Sequence, residues 1–389
     1  MPVLQTLCRR PNVRGVLILM LTAAVAGSAA TGDQPGPEGV RGAAAESRTA
    51  ANPPVYRDHT NVMVVQDAAG TLSPVTTPAE LALRRTHILA GMEQAMGPVP
   101  AESQRVPTEM QILWQEDTGR YLRQRISFAA EPGDRVPAWL LVPKPNDRKR
   151  AAVLCLHQTT AIGKAEPAGL GGLPNLHYAH ELAIRGFVCL VPDYPSFGDY
   201  PWDFRTQGSH YASGSMKAIW NNMRAVDLLV SLPDVDGRRI GCIGHSLGGH
   251  NALFTAAFDT RIRAVVTSCG FTAFHHYYAG DLQGWTSDRY MPRIRDLYQN
   301  DPDQVPFDFY EVLGAVTPRS IFVNAPVGDA NFDHTGVRKV IAEVERAFAV
   351  SGPVGEKLVA RFPDCAHDFP PEVRDESYAW LQRQLEPPR

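Results

Sequence analysis

The chain lacks the features that would mark a nucleic-acid-binding or membrane-spanning protein. Its 389 residues carry a formal net charge of −3, and no lysine and arginine cluster is dense enough to bind a phosphate backbone. The apolar run near the N-terminus, from Val16 to Ala26, is too short to cross a bilayer comfortably. We therefore expect a small or neutral partner molecule and no nucleic acid.

Cysteine is scarce, and its number argues against a disulfide framework. Of the 6 cysteines, Cys8 lies in the N-terminal segment, so an odd number would remain in an exported protein. Several others lie in or at the end of strand-like apolar runs: Cys155, Cys189, Cys242 and Cys269. We expect them to pack in the core as small hydrophobes. The sequence leaves open whether Cys269 or Cys365 forms a disulfide.

The N-terminal segment has the pattern of an export signal. Arg9, Arg10 and Arg14 precede the apolar run, and small residues follow it at 27–30. We predict a signal peptide over 1–30, a secreted or periplasmic protein, and no stable membrane insertion after its removal. An uncleaved anchor is the alternative. Residues 31–55, rich in glycine, proline and alanine, are predicted to be a disordered linker. The oligomeric state is left open.

The rest of the chain alternates between strand and helix patterns. An amphipathic helix over 78–96 forms an N-terminal extension (56–110), and the main domain follows (111–389). Strands are predicted at 121–128, 136–142, 151–156, 187–191, before Ser246, and at 264–267, 320–324 and 357–362, with helices at 178–185, 215–232, after Ser246, and at 335–350 and 372–385. This order predicts an α/β fold, with a mostly parallel sheet covered by helices on both faces. Ligands of such sheets bind outside the carboxyl ends of the strands.

A glycine-flanked serine stands between one strand and its helix, in Gly244-His245-Ser246-Leu247-Gly248. Such a pentapeptide arises by chance in glycine-rich loops. Here an apolar strand pattern precedes it and a helical pattern follows it, as a nucleophile elbow requires. The two glycines allow the sharp turn that lifts the hydroxyl clear of the sheet. Ser246 is therefore the candidate nucleophile.

A histidine and an acid complete the candidate constellation. His367 follows the last strand and is the candidate general base, since it is the only histidine beyond residue 334. The acid should follow the strand 320–324, where Asp329 and Asp333 are both present. Asp329 is the better placed, because Asp333 is expected to cap the helix that begins near His334.

The candidate oxyanion donors are two backbone amides. One belongs to Leu247, at the start of the helix after the serine, and the other to Gln158 or, alternatively, Thr159, after the strand ending at Leu156. This chemistry requires no cofactor. The twelve histidines show no spacing with carboxylates or thiolates that predicts a metal site.

Two aromatic-rich segments, 193–211 and 271–310, follow strand ends and are candidates for the walls of a pocket. About half of their rings are expected to pack under the loops instead. The candidate substrate-binding residues, from these segments and from the loops near the serine, are His157, Tyr194, Trp202, His245, Tyr277 and Trp285.

Residues 110–387 resemble the α/β-hydrolase superfamily. The motifs that carry the resemblance are Leu156-His157-Gln158-Thr159, Pro192-Asp193-Tyr194-Pro195, Gly244 to His250, Asn324-Ala325-Pro326 and Pro363 to His367. They resemble exported bacterial esterases of the dienelactone-hydrolase and acetyl-xylan-esterase-like group, which implies triad roles for Ser246, Asp329 and His367. Dienelactone hydrolases proper have a cysteine at the position of Ser246, so their substrate is not carried over. The residues ahead of this region are too few for the propeller of prolyl-oligopeptidase-type peptidases.

These patterns predict a serine esterase that forms an acyl-enzyme intermediate. Charged residues alternate with the aromatics of 193–211 and 271–310, which favours a compact polar substrate such as a short-chain, acetyl-type ester of a carbohydrate. A serine peptidase or amidase on the same fold is one alternative. A non-catalytic binding protein is the other.

Overall fold

The computed structural model describes residues 54–144, 149–207 and 210–386. The predicted signal peptide (1–30), and the predicted linker (31–55) apart from its last two residues, lie outside the described residues. The described residues belong to one compact unit. The predicted extension (56–110) is therefore part of the same unit as the main domain. No helix among the described residues is long and apolar enough to cross a membrane.

The extension consists of a short hairpin and the predicted helix. Strands β1 (Val64–Gln66) and β2 (Leu72–Pro74) pair antiparallel. Helix α1 (Pro78–Met96) has the predicted bounds. Its N-terminus carries a capping box between Thr77 and Glu80, which satisfies amides that lack a helical partner. Its apolar face is buried in the main core.

A sheet of nine strands positions the rest of the described chain. The strands are β3 (Gln111–Asp117), β4 (Tyr121–Glu131), β5 (Asp134–Pro143), β6 (Arg150–Leu156), β7 (Val188–Pro192), β8 (Val235–His245), β9 (Ile262–Ser268), β10 (Ser320–Asn324) and β11 (Leu358–Arg361). Their order is β3-β4-β5-β7-β6-β8-β9-β10-β11. The six strands from β7 to β11 are parallel, and β3, β4 and β5 add an antiparallel edge. The chain leaves β6 for β7 on one side and later returns to β8 on the other. A crevice is expected at such a switch point.

Helices cover both faces of the sheet, as predicted. They are α2 (Tyr178–Ile184), α3 (Gly214–Ser231), α4 (Leu247–Phe258), α5 (Arg293–Asp296), α6 (Phe309–Val316), α7 (His334–Val350) and α8 (Pro371–Gln384). Helices α2 and α8 pack on one face, and α1, α3, α4, α6 and α7 on the other. Strand β6 shows the division: Leu154 points into the larger core and Val153 into the smaller one. Successive strand residues alternate between faces, so β6 is apolar throughout.

The predicted α/β fold is confirmed, and two elements that the patterns did not predict have physical explanations. Every residue of β3 is exposed, and its apolar run Ile112-Leu113-Trp114 lies at a bulge against β4, so it shows no alternation. Helix α6 is buried at all eight positions and therefore has no polar face. Neither element carries the periodicity that reveals a strand or a helix.

A buried ion pair joins the extension to the main core. Arg84 of α1 donates to Glu311 of α6, and their side chains are 0% and 2% exposed. Glu311 also contacts His59 at 2.8 Å and belongs to the capping box of α6. Removing one partner of such a pair leaves an uncompensated buried charge, which costs far more than removing both.

We expect Glu311→Gln to lower the free energy of unfolding by about 3–5 kcal/mol, because Arg84 would stay buried without a counter-charge. Urea denaturation at neutral pH measures the change. The exposed Glu345→Gln is the matched control and should change stability by less than about 0.5 kcal/mol. The double variant Arg84→Met, Glu311→Leu should recover part of the loss. Equal stabilities of Glu311→Gln and the control would contradict the assignment.

Candidate active site

The candidate nucleophile Ser246 lies in a sharp turn between β8 and α4. Its φ of 52° and ψ of −117° lie outside the regions that L-residues prefer. The Ser246 amide donates to the Ser268 carbonyl at 2.8 Å, which ties the turn to the end of β9. A β-carbon on Gly244 would collide with the Gly248 carbonyl. The turn therefore requires glycine at this position, as the sequence predicted.

The first turn of α4 packs closely against the backbone at the end of β6. A β-carbon on Gly248 would collide with the Leu156 carbonyl and lie 2.9 Å from the His157 carbonyl oxygen. Helix α4 therefore starts beside the loop that contains Gln158. The amide of Leu247 is the first of the helix and has no intrahelical partner, because the first helical hydrogen bond is donated by Gly249. Both predicted oxyanion donors thus come from segments that meet at the elbow.

His367 and Asp329 form a hydrogen-bonded pair. Nδ1 of His367 lies 2.9 Å from each carboxylate oxygen of Asp329, whose side chain is fully buried. Burial raises the pKa of Asp329, but the hydrogen bond and charge of His367 and the amides of Asn331 and Phe332 outweigh it, so the pKa lies below its ordinary value. An ionised carboxylate therefore faces the imidazole and leaves Nε2 as the free ring nitrogen.

Asp333, the alternative acid, lies at the N-terminus of α7. Its carboxylate accepts from the Thr335 amide at 2.8 Å and hydroxyl at 2.7 Å, and so caps α7 at the predicted position. Its other contact is Nδ1 of His276 at 3.3 Å. The structure thus brings Asp329, and not Asp333, to His367.

Asn324 ties the strand ends around this pair. Its side-chain amide donates to the Ser268 hydroxyl and to the Asp368 carbonyl, both at 2.9 Å. It therefore links β10 to the end of β9 and to the loop of His367. The motif Asn324-Ala325-Pro326 carried part of the resemblance, but no role was predicted for this side chain, because a polar residue at a strand end has many ordinary uses.

His245 packs beside His367. The two rings meet edge to face with centroids 4.8 Å apart, and Nδ1 of His245 contacts the Ser268 hydroxyl at 2.9 Å. Burial and the charge of His367 lower the pKa of His245 to about 3, so its ring is neutral at neutral pH. Cys269 lies close by, and ligand atoms of these three residues fall within 4.8 Å of one another. This grouping belongs to the candidate active site, since His367 already bonds Asp329.

Both ring nitrogens of His157, a candidate substrate-binding residue, form hydrogen bonds with the backbone. Its Nδ1 lies 2.6 Å from the Gln158 carbonyl, and its Nε2 accepts from the Tyr194 amide at 2.9 Å. Burial lowers the pKa of the ring, which is therefore neutral at neutral pH. Neither ring nitrogen is left for a substrate. His157 instead holds the loop after β6 against the loop after β7.

Aromatic side chains form a wall beside His367. Phe332 lies with its ring centroid 6.0 Å from that of His367, 6.1 Å from Trp285 and 5.8 Å from Tyr277. The predicted residues Tyr277 and Trp285 are thus brought near the site through Phe332, which the sequence did not reveal. Tyr290 adds a link, because its hydroxyl lies 3.2 Å from that of Thr159.

The other two predicted aromatics lie farther along the same edge of the sheet. The Tyr194 hydroxyl donates to the Arg289 carbonyl at 2.5 Å, so this group is used within the protein. Trp202 packs near Tyr200, and the Lys217 ammonium lies 4.5 Å from its ring centroid. As expected, several other rings of the two segments are buried in the core: Phe271, Phe274 and Tyr200.

Comparisons with known proteins agree with this architecture. The family model described as "Glucuronyl esterase, fungi" matches residues 204–350. YtaP of Bacillus subtilis, described as a hydrolase, is 25% identical over 290 residues, which span 72% of this chain and 94% of that protein. The structure of a glucuronoyl esterase from Solibacter usitatus has a TM-score of 0.66 at 17% identity and covers 87% of this chain and 99% of that one. A Bacteroides fragilis protein described as an acetyl xylan esterase has a TM-score of 0.56 at 18% identity, with coverages of 79% and 86%.

These comparisons confirm the α/β-hydrolase fold and the resemblance to acetyl xylan esterases. Identities below 20% to the two solved structures establish the fold and not the substrate. The relatives are esterases and hydrolases, consistent with the prediction of a carboxylic ester hydrolase. The roles of the individual residues rest on the geometry described above.

The geometry predicts different effects for the two aspartates. We expect Asp329→Asn to slow labelling of Ser246 by a fluorophosphonate about 10³-fold or more, because the imidazole would lose the group that fixes its tautomer. Asp333→Asn should label within about 3-fold of the wild-type rate and lower stability by about 1 kcal/mol through the weakened cap. Labelling rates measured by mass spectrometry show which aspartate acts on the imidazole. The reverse ranking would move the acid to Asp333.

Proposed function

We propose that the protein is a serine carboxylic-ester hydrolase in which Ser246, His367 and Asp329 act as a triad on short-chain esters of a carbohydrate. The observation that carries the proposal is the Asp329–His367 pair, with both carboxylate oxygens 2.9 Å from Nδ1, at the same sheet edge as a serine at φ 52°. A strained serine at the same sheet edge as an oriented imidazole is costly to maintain and is typical of a nucleophile.

In this proposal Nε2 of His367 takes the proton of the Ser246 hydroxyl, since Nδ1 is held by Asp329. The serine oxygen then attacks the ester carbonyl. The imidazolium formed is stabilised by the ionised Asp329, and it returns the proton to the leaving alcohol. A water molecule, activated by the same ring, releases the acid from the acyl-enzyme.

The oxyanion of each tetrahedral intermediate would accept hydrogen bonds from the amides of Leu247 and Gln158. The Leu247 amide is at the N-terminus of α4, where the helix dipole also favours negative charge. Gln158 is held in position by its neighbours: His157 contacts its carbonyl, and its own side-chain amide donates to Glu166 at 3.0 Å. The donors are therefore fixed before the reaction, which is the condition for efficient electrostatic stabilisation.

A carbohydrate ester is supported by the comparisons and by the walls of the site. Proteins described as glucuronoyl and acetyl xylan esterases are among those that share the fold. Tyr277, the partly exposed member of the aromatic wall, provides a ring face on which a sugar can stack, and the buried rings of Trp285 and Phe332 pack against it. An acetyl group on a sugar hydroxyl is our proposed ester, and an ester of a uronic acid is the second candidate, favoured by the family match over 204–350.

Export is proposed from the sequence alone. The arginine-rich start, the apolar run and the small residues at 27–30 support a signal peptide and a secreted or periplasmic enzyme. A substrate embedded in a polysaccharide would be found in such a compartment.

We expect Ser246→Ala and His367→Ala each to lower kcat for p-nitrophenyl acetate by about 10⁴-fold or more, because triad members act as a unit. Ser103→Ala, at an exposed serine, is the matched control and should keep full activity. Fluorophosphonate should label the wild type and not Ser246→Ala. Absence of labelling of the wild type would instead favour a binding protein.

The substrate class is tested by comparing kcat/KM on a panel of esters. We expect acetate to exceed octanoate among p-nitrophenyl esters, since the mixed aromatic and charged walls do not form a broad apolar groove. Acetylated xylo-oligosaccharides and methyl glucuronate esters distinguish the two carbohydrate candidates, and peptides test the amidase alternative. A kcat/KM that rises steadily with acyl chain length would contradict a compact polar substrate.

A further inference from the structure

A groove of about 360 Å³ lies between the loop after β7 and the segment that precedes α5. It is lined on one side by Trp202 and Phe204 and on the other by Asp288 and Arg289. Its volume falls in the range of small-molecule sites. Neither the triad nor the aromatic wall beside His367 uses these residues.

The groove is next to the elbow. Arg289 lies over the Phe197 ring, with its guanidinium carbon 4.3 Å from the ring centroid. Phe197 belongs to a small apolar cluster that also contains Leu247, the residue after the candidate nucleophile, and Tyr290 packs against this cluster. Arg289 therefore packs on the cluster that contains the first residue of α4.

The position of Arg289 is fixed from several directions. Its Nε donates to the Ser196 hydroxyl at 2.8 Å, and the Phe197 ring supports its guanidinium plane. Its carbonyl accepts from the Tyr194 hydroxyl, and a β-carbon on Gly214 would collide with that carbonyl. Backbone and side chain are thus both held, so little conformational entropy is lost when the guanidinium binds an anion.

Ser196 adopts a backbone conformation that is unusual for serine. Its φ is 75°, in the left-handed region that favours glycine. The turn is closed by hydrogen bonds from the Ser196 amide to the Tyr200 carbonyl and from the Phe197 amide to the Tyr194 carbonyl, both at 3.0 Å. Glycine would fit this turn without strain. The serine instead supplies the hydroxyl that orients Arg289.

Arg289 has no carboxylate within ion-pair distance among residues 54–144, 149–207 and 210–386. The nearby Asp288 contacts Arg205 instead, at 3.5 Å, and that arginine side chain is 85% exposed. The guanidinium of Arg289 thus forms no ion pair within the described part of the chain. A positioned guanidinium over an aromatic ring is suited to bidentate recognition of a planar carboxylate.

We propose that Arg289 binds a carboxylate of the substrate's carbohydrate part, separate from the ester that Ser246 attacks, and that the groove is a subsite for an acidic sugar. The sugar ring would lie against Trp202 and Phe204, and Arg289 would hold its carboxylate. Ser196 is a positioning residue that acts through Arg289. The inference rests on the proposed esterase function and extends it from carbohydrate esters to those that carry a uronic acid.

The test measures binding without turnover, in the Ser246→Ala protein. Methyl glucuronide and methyl glucoside share a ring and differ by the carboxylate, so their dissociation constants, from NMR titration, isolate its contribution. We expect the glucuronide to bind at least about 10-fold more tightly, as a charge-assisted hydrogen bond implies. Methyl galacturonide, with one hydroxyl inverted, reports whether the subsite distinguishes uronic acids. Equal affinities for glucuronide and glucoside would overturn the proposal.

Variants then assign the preference to Arg289. In the same background, Arg289→Gln should abolish the preference and Arg289→Lys should retain part of it, because lysine keeps the charge and loses the planar fork. Arg295→Gln is the matched control, since this exposed arginine pairs with Asp296 outside the groove, and should keep the preference. A preference unchanged in Arg289→Gln would overturn the proposal.

The variant Ser196→Gly distinguishes a role of Ser196 in positioning Arg289 from a role in stabilising the fold. Glycine accepts the φ of 75°, so the melting temperature should not fall, while loss of the hydroxyl should reduce the preference several-fold. A variant that binds both glycosides more weakly by the same factor would instead indicate a purely structural role. Because no measurement here requires hydrolysis, failure of the subsite and failure of the esterase proposal are distinguishable: fluorophosphonate labelling of Ser246 reports only the latter.

Discussion

The close approach of helix α4 to the strand ends is the constraint on which the rest of the site depends. Gly248 packs against the Leu156 carbonyl, Gly249 against Gly270, and the Ser246 amide bonds the Ser268 carbonyl. No side chain fits between these backbones. The contacts hold the serine in a conformation that the chain would otherwise avoid, and they set the helix N-terminus beside the loop after β6. The histidine, the acid and the pocket walls are arranged around a position fixed by backbone packing.

Polar groups beneath this turn hold the loops of the candidate active site in register. Asn324 links the ends of β9 and β10 to the loop of His367, and His157 links the loops after β6 and β7. The buried imidazoles of His157 and His245 are neutral, which leaves Asp329 as the ionised group that faces His367. This buried carboxylate acts strongly on the ring, because electrostatic interactions are stronger at low local dielectric.

The sequence predicted those features that depend on local pattern. The bounds of α1 and β10, the continuous apolar run of β6 and the glycine-flanked turn at Ser246 each follow from a local pattern of neighbouring residues. Strand β3 was missed because an exposed edge with a bulge need not alternate. Helix α6 was missed because burial on every side removes its polar face.

Side-chain partners within the site were less predictable, because they depend on contacts between distant segments. Chain order favoured Asp329, but its contact with His367 spans 38 residues and becomes visible only in three dimensions. The packing of Phe332 against His367 also becomes visible only in three dimensions. So does the hydrogen bond from Arg289 to Ser196, two residues that are 93 positions apart. For His157 the prediction and the structure differ. Its place next to the candidate oxyanion loop suggested a contact with substrate, whereas both of its ring nitrogens form hydrogen bonds with the backbone.

The ion pair between Arg84 and Glu311 spans 227 residues, so α1 acquires its buried counter-charge only once α6 has formed and has packed. Contacts of such long range slow folding, because the loop must close before the pair forms. The extension is thus expected to be among the last parts of the chain to lock into place, and until then its arginine remains in water.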